Sequence, residues 1–367
     1  MKILMLGTLT NSMNGSARSF VRLCNFLATR HEVYAAVPDL DGIALMLSDQ
    51  VKEVVVEDIS PIRRSLRAVL YLPLSIYKLI HLIRRLKPDV IHINDIPWFY
   101  AVAVARFMGI PVVLHSRYYE KNDYVKKVIS LFIGKADATI YVSDFNKKMW
   151  GVSGNSQYRL HNPGIFNLKL DLSCDLPPKY ALVVSRVSQE KGIYEAIQFF
   201  SILALQDEAL ALVIAGDALY NYQKEYLKQC QGLISALGIE SRVLWLGHVV
   251  VPHALYMNAE LYIHLPNFED PFPTTMMEAL AIGCRILTNG RGGIAEQVEG
   301  FDGVLTLKTD DTFDRQADAL EKFMSSSLPK YDRAQLYKER FDEVRFYVEF
   351  ESILIAATQG AEGRPSS

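Results

Sequence analysis

Short apolar runs alternate along the chain with longer stretches in which apolar residues recur every three to four positions. Residues 1–7, 32–37, 51–56, 89–94, 111–116 and 138–143 form runs of a length that fits buried strands rather than helices. The segments 16–30, 62–87, 97–108, 122–134 and 144–150 predict helices between them. A second alternation follows, with strands predicted at 180–185, 211–216, 242–247, 260–265 and 285–289 and helical segments between. Strand–helix alternation of this kind implies parallel sheets covered by helices on both faces. The expected fold class is therefore α/β, with two Rossmann-like doubly wound domains and a ligand at the carboxyl ends of both sheets, in an interdomain cleft.

Between the two alternations, residues 166–179 lack helical periodicity and contain Pro177-Pro178, which reads as a linker. The expected division is an N-terminal domain over 1–165, the linker 166–179, a C-terminal domain over 180–340, a helix over 341–360 and a polar disordered tail over 361–367. The helix carries Phe341, Val344, Phe346, Tyr347, Phe350, Ile353 and Leu354. Such a face suits packing across the domain junction, and a return to the N-terminal domain is one of two options.

Composition narrows the function classes. A chain of 367 residues has room for two cores, and a formal net charge of −2 gives no global attraction to nucleic acid. Cys24, Cys174, Cys230 and Cys284 are scattered, with no CxxC pair and no histidine cluster, so reduced thiols in a cytoplasmic protein are expected. No run approaches the ~20 apolar residues of a membrane-spanning helix. The opening Met1–Gly7 run is too short for a signal peptide.

The richest chemistry lies in Asp270-Pro-Phe-Pro-Thr-Thr-Met-Met-Glu278. Pro273 suits the first helical turn, and Thr274, Thr275 and Met276 would then present free amides. Those amides and the helix dipole make an anion site, with the two threonine hydroxyls alongside. Glu278, one turn further in, can accept hydrogen bonds from neutral hydroxyls. Phosphate with a diol beside it describes a nucleotide sugar. Arg186 and Lys191, on the loop after the first strand of the second domain, can hold a diphosphate; two solvated loop charges fit that segment equally well.

Weaker signals surround this core. Asn14-Gly15-Ser16-Ala17-Arg18 joins the first strand to the first helix and by itself is most simply an ordinary turn. His92 and His115 end adjacent strands without metal-ligand spacing. Asp39-Leu-Asp41 reads as turn chemistry rather than as a metal pair. The basic, apolar segment 61–87 can touch an anionic bilayer, but a sheet-covering helix divided at Pro73 is the simpler reading.

Together these residues resemble the family-four retaining glycosyltransferases, of the GT-B fold, over nearly the whole chain. The resemblance is carried by the turn at 14–18, Pro-Asp-Val-Ile-His92, Val-Val-Leu-His115, Val-Ser143-Asp-Phe, His-Asn162-Pro-Gly164, Ser-Arg186 with Lys191-Gly192, Ala-Gly216-Asp, Leu-Gly247, the Asp270–Glu278 motif and Gly292-Gly293-Ile-Ala-Glu296. It implies that Arg186 and Lys191 hold the donor diphosphate, that Glu278 binds the ribose and that His115 lies near the reactive face of the sugar. Asp270 takes the place of the motif's first glutamate, which contacts the transferred sugar, and Glu269 beside it is a rival. The amides of Thr274 to Met276 would meet the phosphates, and Gly15 would sit under donor and acceptor. Asn14, Arg18, Arg117 and Tyr118 are the acceptor-side candidates, with Trp98, Phe99 and Tyr119 as further aromatic residues near strand ends.

The resemblance implies metal-independent retaining transfer of a hexosyl unit, with no cofactor. The donor it implies is a UDP- or GDP-sugar, and the acceptor expected is a saccharide or lipid-linked saccharide of envelope or exopolysaccharide biosynthesis. The expected location is the cytoplasm, with peripheral contact at the inner membrane face. Two other readings share the architecture: a nucleotide-sugar epimerase, and a non-catalytic sugar-nucleotide-binding protein.

Overall fold

The computed structural model describes residues 1–7, 15–37, 44–56, 66–96, 99–165, 175–249, 253–326 and 330–362. Asn14, Asp39, Asp41, Trp98, Cys174 and the tail from 363 lie outside the described residues, and Gly15 and Ser16 enter only as helix backbone. The chain divides into two compact units, Met1–Pro163 together with the chain from Glu343 onward, and Gly164–Asp342.

The first unit holds seven parallel strands: β1 (Lys2–Gly7), β2 (Glu32–Val37), β3 (Glu53–Val56), β4 (Val90–Asn94), β5 (Val112–Ser116), β6 (Ala138–Tyr141) and β7 (Ser156–Arg159), in the order β3-β2-β1-β4-β5-β6-β7. Alternate side chains of β1 feed opposite cores. Leu4 and Leu6 join the helices Leu66–Leu86, Phe99–Phe107 and Asp123–Ile133, whereas Ile3 and Met5 join the helices Gly15–Ala28 and Glu343–Glu362. With both faces covered, the inner strands β1, β2, β4, β5 and β6 are buried along almost their whole length. The terminal helix contributes Phe346, Tyr347, Phe350, Ile353, Leu354 and Ala357 to the second of these cores.

Six parallel strands form the sheet of the second unit: β8 (Tyr180–Val184), β9 (Ala211–Ala215), β10 (Val243–Gly247), β11 (Ala259–His264), β12 (Ile286–Thr288) and β13 (Val304–Thr306), in the order β10-β9-β8-β11-β12-β13. In each sheet the strand order reverses direction once, beside β1 and β4 in the first and beside β8 and β11 in the second. Such switch points leave room for a ligand at the strands' carboxyl ends.

Three details differ from the sequence reading. The helix Leu66–Leu86 runs unbroken through Pro73, which is exposed, while Leu79, Leu82, Ile83 and Leu86 are buried against the sheet. Burial of that stripe outweighs one lost backbone hydrogen bond. Pro273 has φ −66° and ψ 131° and is the N-cap of the helix Thr274–Ile282 rather than its first helical residue. Strands β7 and β13 escaped the pattern because both are short edge strands with partly exposed residues. Cys24, Cys230 and Cys284 are buried thiols.

Candidate active site

The loop after β8 carries Arg186 and Lys191, and its shape is forced by contact with β11. Gly192 has φ +67°, and a Cβ there would lie 1.7 Å from the Leu265 carbonyl oxygen, so only glycine fits. This places Lys191 beside the segment that follows β11. Lys191 Nζ bonds Asp270 Oδ2 at 2.9 Å and lies 4.6 Å from the centre of the Phe268 ring. Both partners of the ion pair are largely buried, whereas Arg186 is exposed and makes no ion pair among the described residues. Glu269 is half-buried and enters no such pair, so the shorter Asp270 holds Lys191.

The backbone of Glu269 and Asp270 is clamped from the other side. Gly292, at φ +69°, packs where a Cβ would come within 2.4 Å of the Asp270 carbonyl oxygen, and Gly293 N–H donates to that oxygen at 2.8 Å. Gln297 Nε2 donates to the carbonyl of Pro273 at 3.0 Å. The helix Thr274–Ile282 thus starts from a fixed point, with Thr274 and Thr275 half-buried and Met276 buried. The first-turn amides of any helix lack intrahelical acceptors, so this end favours an anion.

Glu278 is buried one turn in. Its Oε2 accepts from Tyr256 Oη at 2.9 Å, and its Oε1 lies 3.7 Å from His253 Nε2. A carboxylate has about four acceptor positions, so capacity for a diol remains. The Thr275 hydroxyl bonds the Tyr262 hydroxyl, which lies 3.2 Å from His264 Nδ1. His264 is buried near Lys191 and Asp270, and burial followed by the Lys191 charge lowers it to about 4, so the ring is neutral at physiological pH. Tyr256, Tyr262 and His264 were not identified from sequence. Their apolar spacing in β11 and its preceding helix reads as core, and only packing reveals the polar chain.

A second set lies at the carboxyl ends of β4 and β5 in the first unit. His92 and His115 are fully buried with rings 5.8 Å apart, and Phe350 of the terminal helix lies 5.0 Å from one and 6.0 Å from the other. Burial lowers His92 to about 3, aided by the Arg117 charge; burial, Arg117 and His92 hold His115 far below the ordinary imidazole range. Arg117 Nη2 sits 3.3 Å from His115 Nδ1, and Nη1 bonds Asn162 Oδ1. The Arg117 backbone N–H donates to Asp95 Oδ1 at 3.2 Å. Burial raises Asp95 to about 6 against its backbone hydrogen bonds and the Arg117 charge. Tyr118 packs partly buried on the core, with its hydroxyl 3.3 Å from Glu120 Oε2, and Arg18 is half-buried on the helix Gly15–Ala28. Asp95 was the residue missed here, although its position directly after a strand end was a usable signal.

Two family models match adjoining parts of the chain: glycosyl transferases group 1 over residues 171–340, and glycosyltransferase family 4 over residues 13–153. Both models are of glycosyltransferases, and between them they take in most of both units, the group 1 model falling on the second. The group 1 match contains Arg186, Lys191, Asp270 and Glu278, and the family 4 match contains His92, His115 and Arg117. Among curated relatives, the chain is 27% identical over 243 residues to a glycogen synthase of Mycobacterium tuberculosis, covering 60% of the chain and 57% of that relative. It is 29% identical over 142 residues to the lipopolysaccharide 1,2-N-acetylglucosaminetransferase of Salmonella typhimurium, covering 38% and 36% respectively. The chain thus matches little more than half the length of the first and about a third of the second.

Among solved structures, Anabaena HepE in complex with UDP and glucose superposes with a TM-score of 0.76 at 19% identity, covering 97% of this chain and 100% of that one. The sucrose-phosphate synthase of Thermosynechococcus elongatus gives 0.75 at 14% identity, over 98% and 100%. At such identities the likeness concerns the fold, which is that of the GT-B glycosyltransferases.

Proposed function

We propose that the chain is a retaining glycosyltransferase that moves a hexosyl unit from a UDP- or GDP-sugar to a saccharide or lipid-linked saccharide in envelope or exopolysaccharide biosynthesis. The observation that carries this reading is the joining of Lys191 to Asp270 at 2.9 Å, four residues before an open helix N-terminus with Glu278 buried one turn inside. Cation, amides and carboxylate match the diphosphate, its oxygens and the ribose diol in turn. HepE, whose complex holds UDP and glucose, supports the donor class.

Breaking the glycosidic bond leaves negative charge on the diphosphate. Lys191, Arg186 and the helix end offer fixed positive potential where that charge develops, which is the most effective form of electrostatic catalysis. Without donor, Asp270 occupies Lys191, so a bound phosphate shares that cation and frees Asp270 for a sugar hydroxyl. The carboxylates serve hydroxyls and cations in this scheme, and transfer proceeds without a metal ion. Acceptor contacts fall to the first unit, near His115, Tyr118 and Arg18. The helices covering one face of its sheet make peripheral contact with the membrane.

A binding screen of UDP-, GDP-, dTDP- and ADP-sugars tests the reading, followed by transfer assays with EDTA present. Binding of at least one donor and EDTA-resistant transfer are expected; no binding across the panel sinks the proposal. Arg186→Ala and Lys191→Ala should each lower turnover by ~10²–10³-fold, and near-normal turnover in either variant removes that residue from the role.

A further inference from the structure

Arg117 looks from sequence like a cation waiting for an acceptor, but both of its terminal nitrogens are already engaged within the first unit, while Nε is buried without a partner among the described residues. One guanidinium nitrogen bonds Asn162, another faces His115 Nδ1 at 3.3 Å, and its backbone N–H bonds Asp95. We propose that Arg117 is a positioning residue that fixes His115 as its Nε2–H tautomer, so that the ring offers a hydrogen-bond donor to an oxygen of the sugar being transferred. The identity of that recipient rests on the glycosyl-transfer reading above; the tautomer does not.

The argument is one of donors and acceptors. A guanidinium carries only N–H donors, and although burial lowers Arg117 to about 10 it stays charged at neutral pH, so the ring nitrogen facing it must present its lone pair. Nδ1 is then the acceptor, and the single proton of a neutral imidazole resides on Nε2. Burial, the Arg117 charge and the neighbouring His92 all keep the ring neutral. Nε2 is buried and has no partner among the described residues. A buried N–H without an acceptor is rare, and in an enzyme it marks a place where a ligand supplies one.

The surroundings hold this arrangement from three sides. Asp95 has φ +115°, a region that side-chain-bearing residues seldom enter, and its Oδ1 accepts both Ile96 N–H at 2.8 Å and Arg117 N–H at 3.2 Å. That single oxygen ties the loop after β4 to the loop after β5. Asn162, beyond β7, fixes the far end of the guanidinium. Phe350 and His92 pack beside the His115 ring and limit its rotation. The terminal helix therefore reaches the same site through Phe350.

The test is spectroscopic first. In the full chain labelled with 15N at histidine, long-range proton–nitrogen spectra should show His115, assigned by its loss in His115→Gln, as one species with Nδ1 unprotonated and Nε2 protonated. Addition of UDP-glucose, or of the nucleotide sugar that binds in the screen above, should shift the Nε2 pair. Arg117→Met should give mixed tautomers and lower donor hydrolysis, read as released nucleotide diphosphate, by about 10–100-fold with little change in donor KM. Arg117→Lys, which keeps a donor, should restore most of both. A wild-type Nδ1–H tautomer, or an Arg117→Met spectrum unchanged from wild type, overturns the assignment. If Arg117→Met does not fold, the wild-type tautomer and its response to donor still decide the matter. A chain that binds no nucleotide sugar overturns the glycosyl-transfer reading instead, and with it the sugar as recipient of the Nε2 proton.

Discussion

Three strand histidines, His92 in the middle of β4 and His115 and His264 near the carboxyl ends of β5 and β11, are buried as neutral rings, and this couples the stability of both units to pH. His92 and His264 titrate at about 3 and about 4 when folded, against 6.5 for an unburied ring. Between these values the unfolded chain binds protons that the folded chain does not, so stability falls as pH drops below 6.5, by up to about 1.4 kcal/mol per pH unit for each ring. Asp95, raised to about 6, works in the opposite sense, because its folded form keeps a proton the unfolded form has lost. His92→Phe isolates one contribution: neither ring nitrogen has a partner among the described residues, and Phe350 already packs against it. Urea midpoints at pH 7, 6 and 5 should show the variant gaining on wild type by about 1–2 kcal/mol towards pH 5; a constant gap across the series would place His92 outside the acid response. At the same scale, Asp270→Asn should weaken donor turnover more than Glu269→Gln, because only Asp270 meets Lys191. An equal loss in turnover assays would restore Glu269 as a rival.

The terminal helix Glu343–Glu362 shows what one element contributes and how much of it could be read in advance. Its buried stripe of Phe346, Tyr347, Phe350, Ile353 and Leu354 closes the second core of the first unit, with ion pairs from Arg22 to Glu343 at 2.7 Å and from Arg30 to Glu351 at 2.8 Å fixing its direction. Phe350 is fully buried, so Phe350→Ala should cost ~3–5 kcal/mol, measured by chemical unfolding; a loss under about 1 kcal/mol would show that the helix is only loosely attached. The apolar spacing of this helix was plain in the sequence, whereas the unit that receives it was not, since periodicity marks a face and never its partner. The same divide runs through the whole chain. Most strands and helices lie within a few residues of their apolar patterns, and Lys191, Asp270 and Glu278 stood out because loop chemistry at a strand end or helix start is local. The Asp95 bridge was illegible because it joins loops 22 residues apart, and the Tyr262–His264 and Arg117–His115 contacts, though each spans two residues, were illegible because they depend on how the side chains turn inside the folded unit. Pro73 misled for the opposite reason: a local rule against interior proline was overridden by burial of the stripe around it.

At the scale of the molecule, each unit has its own parallel sheet and its own cores, and the chain's near-zero net charge hides a strongly uneven distribution. The helices Leu66–Leu86, Phe99–Phe107 and Asp123–Ile133 pack side by side on one face of the first sheet and carry one acidic residue, Asp123, which pairs with Lys126. Against it stand Lys78, Arg84, Arg85, Arg106 and Lys127, with Lys121 just before the third helix. Among these cations, Leu74, Tyr77, Phe107, Tyr124 and Leu131 are exposed to solvent, Phe107 at 84%. Arg85 pairs with Glu53 and Arg106 with Asp137, yet cations still outnumber acids on these helices, and large apolar side chains interleaved with such an excess match the interface of an anionic bilayer, where rings enter the headgroup layer and each cation adds about 1 kcal/mol. No helix among the described residues is long and apolar enough to cross a membrane, so the contact proposed here is peripheral. The full chain should co-sediment with vesicles containing phosphatidylglycerol, much less with pure phosphatidylcholine, and should release as salt rises. Lys121→Glu with Lys127→Glu should weaken vesicle binding by about tenfold or more while leaving nucleotide-sugar affinity unchanged, because both residues belong to the first unit, whereas Lys191 and the helix that begins at Thr274 belong to the second. Equal binding to neutral and anionic vesicles, or no effect of the double reversal, would mean that this face serves something other than an anionic membrane.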